Sequence, residues 1–519
     1  MVTQPSMPPI PIPFLMTLKA AVERAPRRAL ASFLLLHVAV WTVLPTLLYP
    51  NLPLDLIEAM TYGREWQLGY DKLPPLPWWM VEIVWRLLGQ NLHADFAYYL
   101  MAQIVVAIAF IAVWAVARPM VGAAGALIAL FIVDGLHYLN FTAAKFNHDV
   151  VQLPLWALAG FAFHHALRTR AIRYWLLLGL CIGAALWAKY FVVMLAAPMA
   201  LFMILDRDAR AHWRTPGPYL AILVALVVMA PHLVWLVQND FLPFAYAEAR
   251  AKPSRGFIDH IWHPLQFILG QWFFMIPALG IAAALYYPRV REMPPGGDAF
   301  DRRIVSLLAF GPAAAVVALA AISGRGTIAM WGYPLWMFLG LWLVLMSRAV
   351  LTEQRFARAF SVWAVVFCGL ASVFVVSYAV MPAFDHRYRA VFFPGGELGR
   401  ELTVRFRALT GKPLAYIVGS MWDSGNAAHY SPERPQPRVL IDGKPARAPW
   451  IDLADLHSKG AVIVWTDSDP TVLPVQFRTV GADAEIQEPL VLPYRRGTGA
   501  VRVGWAVLRP TPAMAGIAR

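Results

Sequence analysis

Long apolar runs, each close to the length of a bilayer crossing, alternate with short polar connections over most of this chain. A helical crossing needs about 20 apolar residues, and fewer when neighbouring helices enclose it. Such runs lie at 30–49, 97–117, 121–139, 150–167, 174–189, 190–205, 217–237, 262–287, 304–322, 331–347 and 358–381, which predicts about eleven spans. The pattern changes at Met381-Pro382. Beyond it the polarity is ordinary, with short β-type runs at 414–419 and 461–466 and helix-like runs at 396–409 and 451–458. The fold class expected is a mainly α, polytopic membrane protein with a C-terminal α/β domain outside the membrane. Its parts are a cytoplasmic segment 1–29, a membrane domain 30–381 whose first outer loop covers 50–96, and an outer domain 382–519.

Composition agrees with the pattern. Of 519 residues, 59% are hydrophobic and 14% charged, against roughly a quarter charged in a soluble domain. The net charge of +13 is topological in origin, because the cations fall mainly in short loops between apolar runs and no nucleic-acid motif accompanies them. Two cysteines, Cys181 and Cys368, lie far apart inside apolar runs and are expected in the core, unpaired. The run after Arg24, Arg27 and Arg28 is too long for a removable signal peptide and lacks a small-residue cleavage site, so it counts as the first span.

Lysine and arginine bias orients the spans. With the N-terminus inside, the inner connections carry Arg118; Arg168, Arg170 and Arg173; Arg207, Arg210 and Arg214; Arg289, Arg291, Arg302 and Arg303; and Arg348, Arg355 and Arg358. One outer connection breaks the rule with Arg250, Lys252 and Arg255, and anion binding there is a local reason for it. The same orientation places Asp55, Glu58 and Lys72 outside after the first span, Asn147-His148-Asp149 outside after the third, and Lys189 at an outer turn. Four separate polar groups thus share one face.

Charges packed beside hydrocarbon are costly unless they line an aqueous or ligand-filled cavity. Each also has a plainer reading. Asp55 is a catalytic carboxylate or a solvated cap. Glu58, one helical turn on, is a base, a metal ligand or a surface acid. Lys72, ahead of a stiff Pro74-Pro75 turn, holds a phosphate or snorkels to headgroups. Trp78 and Trp79 form an interfacial belt more readily than a sugar platform. Asp149 is a functional acid or an N-terminal cap, with His148 beside it. Lys189 stands between Trp187 and Tyr190 without other polar neighbours in sequence. Carboxylates and cations on one face suit transfer chemistry, in which a carboxylate deprotonates an acceptor hydroxyl and cations stabilise a phosphate leaving group. A lipid-linked-sugar flippase or ion-coupled transporter is the alternative, and would place its acids deeper in the spans. A catalytically silent relative is a third reading.

The acidic pair after the first span, the Tyr70-Asp-Lys72-Leu-Pro-Pro75-Leu turn, Asn147-His148-Asp149 and the stretch from Pro231-His232 through Trp235 to Asn239-Asp240-Phe241 resemble bacterial GT-C glycosyltransferases over roughly residues 30–350. The family is protein-mannosyltransferase-like and includes lipid A aminoarabinose and rhizobial galacturonosyl transferases. The resemblance implies a polyprenyl-phosphate-linked sugar as donor, action at the periplasmic face of the bacterial inner membrane, and an envelope glycolipid, glycan or protein as acceptor. It gives Asp55 the place of the catalytic carboxylate, as general base or as the group that orients the acceptor, with Glu58 and Asp149 assisting. It gives Lys72, interrupted from its prolines by Leu73, and Lys189 the donor phosphate; the break in the charge rule at Arg250, Lys252 and Arg255 suggests that this loop closes over that phosphate. Some members bind a divalent metal, and Glu58 and His148 are the candidate contacts for a metal or for the acceptor.

Overall fold

A computed structural model describes residues 17–89, 95–250, 253–286, 296–385 and 388–511. A short helix, Leu18–Arg24, precedes α1 (Pro26–Leu48), which is followed by two short helices of the first loop, α2 (Leu54–Gly63) and α3 (Leu76–Val84). Then come α4 (Asp95–Asp134), α5 (His148–Thr169), α6 (Ile172–Ala188), α7 (Val193–Leu205), α8 (Gly217–Gln238), α9 (Leu242–Arg250), α10 (Asp259–Tyr286), α11 (Ala299–Ser323), α12 (Leu339–Met346) and α13 (Glu353–Val375). Among the described residues, seven helices are long and apolar enough to cross a membrane, or eight if the bent pair Tyr190–Leu205 and Arg207–Arg214 is one span. The chain is a multi-pass membrane protein.

The difference from eleven expected runs has local causes. The runs 97–117 and 121–139 merge into the 40-residue α4, which breaks at Gly122 with φ +72°, a backbone state that glycine adopts without steric cost. The run 174–189 forms a helix of only 17 residues. The run 190–205 ends in an 87° bend. The run 331–347 is largely irregular and helical only in α12, because Gly332 and Pro334 interrupt it. Its freed Ala329 carbonyl accepts from the Tyr138 hydroxyl at 2.8 Å and from Gln271 Nε2 at 3.0 Å. Irregular backbone at membrane depth survives where protein satisfies it in this way.

α5 is the most enclosed span, while α8 and α13 turn most of their surface outward. Cys181 is buried, as expected; Cys368 is exposed on α13 rather than in the core, since an apolar face toward lipid has the same sequence signature as one toward protein. Inside the bundle, Asp134 Oδ2 accepts from Trp363 Nε1 at 2.7 Å and its other oxygen lies 2.8 Å from His37 Nδ1. This closed group ties α1, α4 and α13 together. Arg289, Arg291 and Lys252 lie outside the described residues, as do most of segment 1–29, positions 90–94 of the first loop and the last positions of 382–519.

The C-terminal domain contains α14 (Gly395–Thr410), β1 (Tyr416–Gly419), α15 (Met421–His429), β2 (Arg438–Ile441), α16 (Leu453–Lys459), β3 (Ala461–Trp465), β4 (Glu485–Ile486), β5 (Leu490–Pro493) and β6 (Ala500–Leu508). β1 pairs in parallel with β2 and β3; β6 runs antiparallel to β3 on one edge and to β4 and β5 on the other. β1 and β3 are buried along their full lengths, which explains their unbroken apolar sequence.

This domain grips the first loop. α15 lies against α2 at Gly425, where an added Cβ would come within 2.7 Å of Thr61 Oγ1 and 2.8 Å of Ile57. Arg438 pairs with Glu65 at 2.5 Å, Arg447 pairs with Asp71 at 2.6 Å, and the Tyr62 hydroxyl donates to Asp71 at 2.8 Å. Trp78 stacks on Tyr62 with ring centroids 4.3 Å apart. It is therefore a buried strut and not part of an interfacial belt, and Trp79 packs between Trp66 and Trp187.

His429, buried at the end of α15 beside Trp85, adds a pH dependence to the junction. Burial, and then the charges of Arg64 and Arg434, pull its imidazole from the usual 6.5 down to about 3. The unfolded chain therefore binds the proton first, and stability is complete above pH 6.5 and falls as the pH drops from there toward 3. Acidifying from pH 7 to pH 5 is expected to cost about 2 kcal/mol. Thermal unfolding of detergent-solubilised protein at the two pH values should show a drop that His429→Gln largely removes; an equal drop in both proteins contradicts the assignment.

Candidate active site

At one end of the bundle, under the first loop, the chain encloses a cavity of about 490 Å³. Asp55, Glu58, Lys72, His148, Asp149, Lys189 and Arg250 all line it, with Tyr190, Phe191, Tyr246 and Trp331 among the aromatic walls. Separate segments of the chain deliver these groups. Pro53 starts α2 and places Asp55 in its first turn, where the exposed N–H groups favour a carboxylate. Glu58 follows three positions on, one turn along the same face. Lys72 precedes the proline turn, Asp149 sits in the first turn of α5, and Lys189 leaves α6 in extended conformation at φ −166°. α9 brings Arg250. Arg255 does not line the cavity; it is exposed and its backbone N–H donates to Asp259 at 2.7 Å.

Charge is distributed unevenly. Glu58, 5% exposed, holds Lys72 at 2.6 Å, and Asp149, also 5% exposed, holds Lys189 at 2.7 Å. Burial pushes the Glu58 carboxyl above the ordinary glutamate range and Lys72 offsets only part of this. Burial opposes the Lys72 charge too, yet Glu58 beside it prevails and keeps its ammonium above the ordinary lysine range. Each ammonium has three donors, so the acids neutralise the lysines and leave N–H groups for a ligand. Two charges stay uncommitted. Asp55, half-buried, and Arg250, exposed, have no ion pair among the described residues.

Asn147 sets the direction of Asp55. Its Oδ1 caps α5, accepting from the N–H groups of Asp149 and Val150 at 3.1 Å each. The amide nitrogen must then be the atom facing Asp55 Oδ2, at 3.0 Å. The cap signal in Asn147-His148-Asp149 was legible in sequence; the second contact was not. His148, a candidate metal or acceptor contact, instead places Nε2 3.1 Å from the Pro74 carbonyl and sits edge-on to Trp78. It braces the turn that presents Lys72. The Pro231-His232 to Trp235 motif has a similar part: His232 joins the Leu68 carbonyl and the Tyr190 hydroxyl at 2.6 Å each, pinning loop to bundle. Sequence reasoning also missed Tyr246, whose ring lies 5.3 Å from the Lys72 ammonium.

The acids do not fit a divalent metal. Hard cations take several oxygen ligands at once. Here Glu58 and Asp149 are engaged by lysines and His148 by a carbonyl, and among the described residues no three His, Cys, Asp or Glu side chains cluster to hold an ion. Chelation is accordingly expected to leave turnover within twofold of its untreated value, measured after dialysis against EDTA; loss restored by added magnesium or manganese contradicts this.

The chain has counterparts in sequence and in fold. Residues 72–235 match the family model of dolichyl-phosphate-mannose-protein mannosyltransferase. The chain is similar to the lipopolysaccharide core galacturonosyltransferase RgtA of Rhizobium johnstonii, 26% identical over 234 residues, which is 44% of each chain. It is also similar to the lipid A galacturonosyltransferase RgtD of that organism, 27% identical over 188 residues, 36% of this chain and 38% of the relative. The matches thus span less than half the length of these curated relatives. Among solved structures it is similar to ArnT from Cupriavidus metallidurans bound to undecaprenyl phosphate, with a TM-score of 0.58 at 13% identity over 94% of this chain and 98% of that one. The apo state of the same protein gives 0.57 at 14% identity over 92% and 98%. The shared fold is the GT-C fold, and the resemblance to GT-C glycosyltransferases drawn from the loop motifs holds.

Proposed function

We propose that this protein transfers a sugar from a polyprenyl-phosphate donor to an envelope acceptor, at the periplasmic face of a bacterial inner membrane. The observation that carries the reading is the pairing pattern of the cavity: two lysines neutralised by buried acids, beside an arginine and an Asn147-oriented carboxylate that have no ion pair among the described residues. In the proposed reaction Asp55 takes the proton of an acceptor hydroxyl as its oxygen bonds to the anomeric carbon. The bond from that carbon to the phosphate oxygen breaks, and polyprenyl phosphate leaves with the electron pair. Lys72, Lys189 and Arg250 would hold the developing negative charge. Glu58 and Asp149 are positioning groups for the two lysines rather than further bases. The relatives support donor and acceptor class: one solved neighbour binds undecaprenyl phosphate, and the two galacturonosyltransferases are named for lipid A and lipopolysaccharide core.

Orientation in the membrane rests on the arginine bias. The bundle end opposite the cavity carries Arg168 on Asp298 at 2.8 Å and Arg303 on Asp206 at 2.6 Å, as an inward face would. A transporter would need an accessible intramembrane acid; Asp134 is instead enclosed by His37 and Trp363. The test is incubation of purified protein with polyprenyl-phosphate sugar and lipid A or its core oligosaccharide. Release of free polyprenyl phosphate that depends on the acceptor supports transfer, and no release with any envelope acceptor sinks it.

A further inference from the structure

A second cavity, of about 580 Å³, lies where the first loop meets the C-terminal domain. None of the groups assigned to the chemistry above lines it. Its walls are the C-terminal ends of α2 and α3 on one side and residues 413–416 and 433–438 on the other. Arg64 follows Asp55 by nine positions, so the two cavities are separated by roughly 15 Å, the length of α2.

Its ion pairs leave an excess of cation. Each acid in the wall is matched: Glu65 by Arg438 at 2.5 Å, Glu82 by Arg86 at 2.7 Å and Glu433 by Arg407 at 2.6 Å. Lys459 is matched by Asp455 at 2.8 Å. Arg64 and Arg434 have no carboxylate partner among the described residues. Arg64 donates to the Pro437 carbonyl at 2.8 Å and Gln436 Oε1 at 2.7 Å; Arg434 donates to the carbonyls of Ser431 and Glu433 at 2.9 and 2.7 Å. The Arg434 guanidinium lies 5.9 Å from the ring centre of Trp85.

We propose that this junction cavity binds an anionic saccharide, one bearing phosphate or carboxylate groups, and so forms the acceptor-holding subsite. Guanidinium groups recognise phosphate and carboxylate through paired N–H donors, Trp85 offers an apolar face to sugar C–H groups, and the volume suits a small oligosaccharide. The acceptor role rests on the transferase reading; the binding site does not.

The test measures binding to full-length protein in phosphatidylcholine nanodiscs. The probes are a glucosamine disaccharide carrying two phosphates, the same disaccharide without phosphate, and glycerol phosphate. Saturable binding of the phosphorylated disaccharide is expected, at least tenfold tighter than either other probe. Arg434→Ala with Trp85→Ala should weaken it at least tenfold and leave polyprenyl phosphate binding within twofold. Arg434 is exposed and its loss orphans no carboxylate, so Arg434→Ala alone is a second variant that keeps the fold, with a smaller loss in the same direction. No saturable binding, equal binding by the variants, or equal binding of glycerol phosphate or the unphosphorylated sugar overturns the proposal. Binding without any turnover would keep this site and remove the transferase reading instead.

Discussion

Asp55→Asn is expected to lower kcat for a hydroxyl acceptor by about 10²- to 10⁴-fold, the span of a general base, with folding and donor affinity preserved. The geometry makes the substitution clean. The asparagine carbonyl can still accept from Asn147 in place of Asp55 Oδ2. Asp55 has no cationic partner among the described residues, so its replacement strands no buried charge. What the variant lacks is an acceptor for the acceptor's proton. With a nucleophile that is already ionised, such as a sugar phosphate, the loss should shrink to less than tenfold. A kcat within threefold of wild type on a hydroxyl acceptor contradicts the assignment of Asp55.

Lys72→Met should have the other large effect, and a different character. Removing one partner of a buried pair costs about 3–5 kcal/mol when the remaining charge stays. Glu58, already held above the ordinary glutamate range by burial, can take up a proton and limit that cost. Its raised value also fixes the sign. The folded state binds this proton more tightly than the unfolded chain, so the destabilisation is small below the usual glutamate value and grows as pH rises. Lost stabilisation of the leaving phosphate adds a fall of about 10²- to 10³-fold in kcat. Glu58→Gln with Lys72→Met separates the two roles. The double variant should regain thermal stability, because neither charge is left unpaired, but not turnover. Recovery of turnover along with stability would mean that Lys72 only neutralises Glu58.

Those expectations depend on contacts that differ in how far the sequence exposed them. The convergence of Asp55, Lys72, Asp149 and Lys189 was legible because hydropathy and arginine bias are one-dimensional signals, and together they place each residue at a given end of a given span. The C-terminal strands at Tyr416–Gly419 and Ala461–Trp465 were legible for the same reason, as short apolar runs between turns. Which lysine meets which acid was not, since that depends on helix rotation and on the path of the proline turn. The role of Asn147 shows the boundary clearly: its cap is local and readable, whereas its bond to Asp55 crosses 92 positions of sequence. Arg447 on Asp71 and Arg438 on Glu65, which fasten the C-terminal domain to the first loop, lie further still from any sequence signal. The break of α4 at Gly122 and the irregular stretch before α12 were hidden because glycine and proline are common in membrane helices.

The central claim is that the cavity under the first loop breaks the bond between sugar and polyprenyl phosphate, and does not merely move the lipid-linked sugar. It is tested most directly in sealed proteoliposomes carrying a polyprenyl-phosphate sugar labelled in the sugar, with lipid A in the same membrane. Transfer predicts one free polyprenyl phosphate for each labelled sugar that appears on the acceptor, with both signals lost together in Asp55→Asn. Label that changes leaflet while remaining attached to polyprenyl phosphate, in wild type and variant alike, would contradict it.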